Sequence, residues 1–300
     1  MKFPLAALAV VFGILGSCSA ALSDISSPED IAALQAVRKL KDAGHYPEAE
    51  KQLHQLILRT EGKPASEEAY VTALHELAGC NMKMEQYGAA LKIYEKLDPL
   101  IAKLIGKENR GYATMLDNWA QACVGDHQYG KAEELQKRSI ETYEKCKPVP
   151  EADLGEDYSN LAQTYLREGK LDKAFETDEL ALKMLGKVLP GNSPGLGILL
   201  DNMGVVLRLQ GKVAEGESYN RKAIAILTPL GVHPDVASAL DNLACCLASQ
   251  GKYPEAFSLF DRELVMWKQL YGPDCRQARE CTHRRAAIAG QSKAQAPATK

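Results

Sequence analysis

Few residues in this chain could do chemistry, and their spacing argues against most of it. The segment Gly125-Asp126-His127-Gln128-Tyr129-Gly130-Lys131 has the glycine and lysine spacing of a phosphate-binding loop. Such a loop must follow a strand and continue with Ser or Thr to hold a metal; here Ala132 comes next, inside a helical pattern. The glycine-rich stretch from Pro190 to Gly197 lacks dinucleotide spacing and reads as a linker. His45, His54, His75, His127, His233 and His283 are scattered, none at a ligand spacing from another His or Cys. His233 lies in a proline-containing turn, where a local role is expected. No Ser or Cys sits in a nucleophile motif, and no carboxylate pair stands out from ordinary solvated helix faces. The expectation is no catalytic residue, no metal and no cofactor.

One constellation remains. Asn118, Asn160, Asn202 and Asn242 recur about 40 to 42 residues apart. Gln121 and Gln163 follow two of them by one helical turn, and Asp117, Asp201 and Asp241 immediately precede three. A carboxamide offers both a donor and an acceptor, so a row of them can hold the backbone of an extended peptide with little regard for its sequence. The same row could instead satisfy neighbouring helices with no ligand involved. Lys83, Arg167 and Arg208 lie toward the other end of the same segments. Asp beside the column favours a neutral or basic ligand segment.

The elements that would position this column are read from small residues. Ala49, Ala90, Ala132, Ala174, Gly216 and Ala256 each follow a Tyr or aliphatic residue by three positions. Ala78, Ala120, Ala162, Gly204 and Ala244 precede the last five of these by 12 positions; in the first copy Val37 stands there instead. Gly44, Gly169, Gly211 and Gly251 mark the turns between. Paired small residues let two antiparallel helices approach closely, with Leu77, Trp119, Leu161, Met203 and Leu243 expected in the core. One hairpin cannot bury its own apolar face, so the copies must stack.

The block Gly231 to Ala244 followed by Gly251 to Ala256, with Leu116 to Ala120, Tyr158 to Ala162 and Leu200 to Gly204 repeating it, resembles the tetratricopeptide repeat. The form is the longer one typical of kinesin light chains. The resemblance implies an all-α fold: a right-handed superhelical solenoid of about six helical hairpins plus a C-terminal capping helix. It also implies that the first helices line a concave groove, with the asparagines pointing into it. Peptide-binding residues would then be Asn118, Gln121, Asn160, Gln163, Asn202, Asn242, Asp117, Asp201 and Asp241. Some members of the family capture acidic C-terminal tails through Lys and Arg; Asp in those places makes that ligand class unexpected here.

Composition agrees with this architecture. Hydrophobic residues make up 46% and aromatic residues only 6%, and Ala, Leu, Glu and Lys favour helix. A net charge of −3 without a long basic block excludes the electrostatic footprint of a nucleic-acid binder. Lys2 and the apolar run from Leu5 to Leu15 read as a signal peptide (residues 1–17), too short to span a bilayer. Leu15-Gly16-Ser17-Cys18 resembles a bacterial lipobox, which implies a lipid on Cys18 and a tether over 18–26; cleavage near Ser19-Ala20-Ala21 and an uncleaved anchor are the alternatives. The solenoid is expected over 27–290, opening with a Ser27 cap before Pro28, and a disordered tail over 291–300. Cys80, Cys123 and Cys246 read as buried small hydrophobes, and Cys275 with Cys281 as the pair best placed to oxidise. Together these features predict an envelope adaptor, exported and membrane-anchored, that binds a protein or peptide partner. The alternative is a structural protein that self-associates through its convex surface or its ends.

Overall fold

The computed structural model describes residues 27–295. The expected signal peptide, the tether with Cys18 and the last five residues lie outside it. Among the described residues there are thirteen α-helices and no strand. They run α1 (Pro28–Asp42), α2 (Tyr46–Thr60), α3 (Glu67–Lys83), α4 (Tyr87–Ile105), α5 (Arg110–Gly125), α6 (Tyr129–Lys145), α7 (Glu151–Arg167), α8 (Leu171–Val188), α9 (Pro194–Leu209), α10 (Val213–Leu227), α11 (Pro234–Ser249), α12 (Tyr253–Tyr271) and α13 (Arg276–Gln295). Odd-numbered helices are the first of each repeat and even-numbered helices the second. Thus α13 is a thirteenth, unpaired first helix, and it runs to Gln295 rather than giving way to a tail at Gln291. No described helix is long and apolar enough to cross a membrane.

The ends of the helices follow from local chemistry. Ser27 Oγ accepts from the Asp30 amide at 3.1 Å, and Pro28 opens α1 where no amide donor is needed. His233 caps α11 in the same way, its Nδ1 accepting from the Asp235 amide at 3.3 Å. Every turn within a repeat closes alike: the amide just after the left-handed residue bonds back to a carbonyl of the first helix, as Lys212 does to Leu207 at 2.9 Å and Gln128 to Cys123 at 2.8 Å. Four turns use glycine for the positive φ, but Glu85 (60°) and His127 (62°) fill the same place in the second and third. A β-carbon there is strained, so these two turns are held by the packing on either side.

The chain divides into two compact units between Thr164 and Tyr165, inside α7. In the N-terminal unit one core joins Val37, Leu53, Leu77, Tyr94, Met115, Leu116 and Trp119 across successive repeats. In the C-terminal unit Leu227, Leu240, Leu243, Leu247, Phe260, Cys281 and Ile288 form another. The small residues read from the sequence are buried without exception, and so are Leu77, Trp119, Leu161, Met203 and Leu243.

Cysteine chemistry differs from expectation at one point. Cys80, Cys123 and Cys246 are fully buried as expected, and all seven described cysteines are free. Cys275 and Cys281, expected to pair, are held apart by α12: one thiol bonds to the Trp267 carbonyl and the other to that of Phe260, each at 3.4 Å. Those carbonyls lie two turns apart along one helix, about 10 Å, beyond the reach of a disulfide.

Candidate functional site

The asparagines sit half-buried at one register position of four successive first helices, α5, α7, α9 and α11. In the N-terminal unit Asn160 Nδ2 donates to both oxygens of Asp117, at 3.2 and 3.1 Å. Gln121 Nε2 donates to the same carboxylate at 2.7 Å. One repeat earlier His75 occupies the register of Asp117, and Asn118 Nδ2 meets its Nε2 at 3.3 Å. Burial holds the His75 imidazole below its ordinary range.

The C-terminal unit repeats the arrangement. Asn242 Nδ2 donates to Asp201 Oδ2 at 2.7 Å, and Asn220 from α10 donates to Oδ1 of the same group at 2.7 Å. Asn202 is half-buried at the equivalent place on α9. At the far end Arg284 of α13 takes the asparagine's register position and forms an ion pair with Asp241. Each acid thus anchors the first helix of the following repeat.

Burial dominates the electrostatics of these acids. Asp117 is 8% exposed and Asp201 7%. Desolvation raises both above the usual carboxylate range, Asp201 to about 7, and the amides that donate to them offset only part of the rise. The Asp lane read from the sequence therefore belongs mostly to the interior. Asp241 is the half-buried exception, and there burial raises the acid while Arg284 pulls it back.

What remains for a ligand is the other end of each carboxamide. In its ionised form a carboxylate only accepts, so it then fixes which end of the asparagine faces it and leaves the Oδ1 carbonyl as the group on offer. Gln163, one turn beyond Asn160, has a buried Nε2 with no hydrogen-bond partner. Lys83 is half-buried, and desolvation lowers its ammonium below the ordinary range. Among the described residues no group of three His, Cys, Asp or Glu could hold a metal.

Aligning the second helices reveals a polar stripe that the sequence reading missed. Leu53, Tyr94, Gln136, Asp178, Asn220 and Phe260 each lie four residues beyond the small residue of their helix, and all are buried. Thr164 Oγ1 donates to Gln136 Oε1 at 2.8 Å, and the Cys246 thiol donates to Asn220 Oδ1 at 3.2 Å. Asp178 is fully buried with neither oxygen hydrogen-bonded. The residue that would correspond to Thr164 and Cys246 is Val206, which has no donor to give.

Comparison with known proteins decides the family. The tetratricopeptide repeat family model matches residues 70–145, 158–228 and 195–264, more than half of the chain. The chain belongs to the tetratricopeptide repeat family. It is 29% identical over 135 residues to the photosystem I assembly protein Ycf3 of Prochlorococcus marinus, a match covering 44% of this chain and 70% of that protein. A Podospora anserina kinesin light chain with nearly identical TPR-like repeats superposes with a TM-score of 0.56 at 20% identity, over 67% of this chain and 96% of that one. The apo form of the quorum sensor NprR from B. thuringiensis gives 0.69 at 15% identity, over 95% and 79%. Identities this low show the fold alone. Tetratricopeptide repeat proteins are in general protein-interaction scaffolds, and the architecture of this member is theirs.

Proposed function

We propose that this tetratricopeptide repeat protein is an adaptor or assembly factor of the cell envelope that holds an extended segment of a partner along its first-helix face. The observation that carries the reading is the locked asparagine column. Carboxylates beneath Asn160 and Asn242 orient the amides before any ligand arrives, so little ordering is left to be done on binding. Carbonyl acceptors at repeat spacing suit the amide hydrogens of an extended chain. An assembly role agrees with that of the Prochlorococcus relative, named as a photosystem I assembly protein.

Photo-crosslinking from position 205, close to the column on α9, followed by recovery of the adduct, identifies the partner. Asn160→Ala with Asn202→Ala, one change in each unit, is expected to weaken that partner's binding by about tenfold while helix content is retained. Unchanged affinity in the double variant removes the groove from the account. The envelope location rests on Leu15-Gly16-Ser17-Cys18. In a bacterial host, labelled fatty acid should enter the wild type and not Cys18→Ala; a wild type that takes no label means that Cys18 carries no lipid.

A further inference from the structure

The last helix is held by little apolar contact. Ala278, Cys281 and Ile288 are the buried residues of α13 among those described, three against nine on α11. They share core packing with Ala237, Leu240, Leu243, Phe260 and Trp267 of α11 and α12. Polar contacts add to them. Arg284 pairs with Asp241, and Arg285 pairs with Asp261 at 2.8 Å while its guanidinium lies 5.2 Å from the centre of the Phe257 ring.

A buried pair of carboxyls lies at this junction. Glu263 of α12 is 3% exposed; its Oε1 accepts from Trp267 Nε1 at 2.9 Å, and its Oε2 is buried with no hydrogen-bond partner. Asp241 of α11 is half-buried, and each carboxyl acts on the acidity of the other. Facing the pair are Arg284 and Cys281 of α13, Cys245 of α11 and Arg208 of α9. His283 of α13 is exposed. Two ionised carboxylates with an orphaned oxygen are costly in such a place; a proton on Glu263 removes one charge and gives Oε2 a hydrogen to donate. Burial, and then the charge of Asp241, raises the Glu263 acid to about 7. Burial raises Asp241 as well, and Arg284 pulls it back.

We infer that α13 is a proton-gated cap, docked on α11 and α12 while the Asp241 and Glu263 carboxyls share a proton and released when they lose it. Release opens the core around Leu240, Phe260 and Trp267 to solvent at the end of the stack. The gate is independent of the first-helix groove. In the undocked state Glu263 returns toward the ordinary value of 4.5, so docking takes up a proton. That contribution is fully present below the ordinary value and is lost as pH rises through the docked value, with no further loss above it. An isolated helix frays in water, so α13 loses its amide protection on release.

Hydrogen exchange of the full chain, read by peptide mass spectrometry and corrected for the intrinsic pH dependence of exchange, tests the gate. Protection of α13 relative to α4 should fall about tenfold or more between about pH 5.5 and about pH 7.5, since the docking constant changes by up to about tenfold per unit inside the window. Glu263→Gln keeps a neutral group of similar shape and should hold α13 at its low-pH protection throughout. Glu263→Met serves where the glutamine variant fails to fold. Wild-type protection that stays level overturns the gate. A fall of the same size in the variants does so too, because it would come from another group such as His283. So does an α13 left unprotected at every pH in both variants.

Discussion

Gly216→Leu is expected to lower the melting temperature by about 10 °C, the unfavourable side of a steric conflict worth about 3 kcal/mol or more. Gly216 opens the close approach of α10 to α9. A β-carbon there would lie 2.7 Å from the carbonyl oxygen of Gly204 and 3.1 Å from the Arg208 amide. Both are backbone atoms, so no rotamer change relieves the clash and the helices must separate. Helix propensity acts the other way, since leucine is better than glycine in a helix interior by about 0.8 kcal/mol. The clash is the larger effect. A melting temperature that stays level or rises would mean that propensity wins and that the two helices are not in close register.

Asp178 leads to the second large effect, of opposite sign. Val206→Thr is expected to stabilise the protein by about 1 kcal/mol at neutral pH, because it supplies the hydroxyl that Thr164 and the thiol that Cys246 supply elsewhere. In an Asp178→Ala background the same change should destabilise, since it then buries a hydroxyl with no acceptor. That reversal is read from a double-mutant cycle in denaturant; a Val206→Thr effect of the same sign in both backgrounds rejects the pairing. Burial raises the Asp178 acid well above 3.8. The folded state then holds its proton more tightly than the unfolded chain, so the contribution of this group is most favourable below about pH 4 and is lost as pH rises through the folded value. Asp178→Ala should therefore flatten the decline in stability above pH 4, and its gain should be larger at pH 8 than at pH 5.

The sequence reading reached the fold because close helix crossings leave a local trace. A small residue is needed wherever two backbones approach, and Ala120, Ala162, Gly204 and Ala244 recur with their partners at the regular interval of a stacked helical repeat. The turns were half legible: glycine announces a left-handed residue, but Glu85 and His127 do the same work without the signature. The site was less legible still. The column of asparagines was visible, yet whether Asp117 faces a ligand or the next repeat depends on which amide reaches it across the stack, and spacing along one chain does not say. Comparing the second helices position by position would have exposed Asp178, since its counterparts Gln136 and Asn220 are polar while Val206 breaks the matching series. Cys275 and Cys281 misled because nearness in sequence was read as nearness of sulfur.

Thiol burial has a consequence for redox chemistry. Burial pushes Cys80, Cys123 and Cys246 up to about 11, and Cys245 up to about 12. A thiol at about 11 is ionised to roughly one part in a thousand at pH 8, and it is the thiolate that attacks a disulfide. Folding thus converts ordinary nucleophiles into near-inert hydrocarbon filler. An oxidant meets reactive sulfur while the chain is still being assembled into its stack, and finds far less once the helices have closed. The finished structure leaves only the half-buried thiols, Cys146, Cys245 and Cys275 among the described residues, in partial reach of solvent.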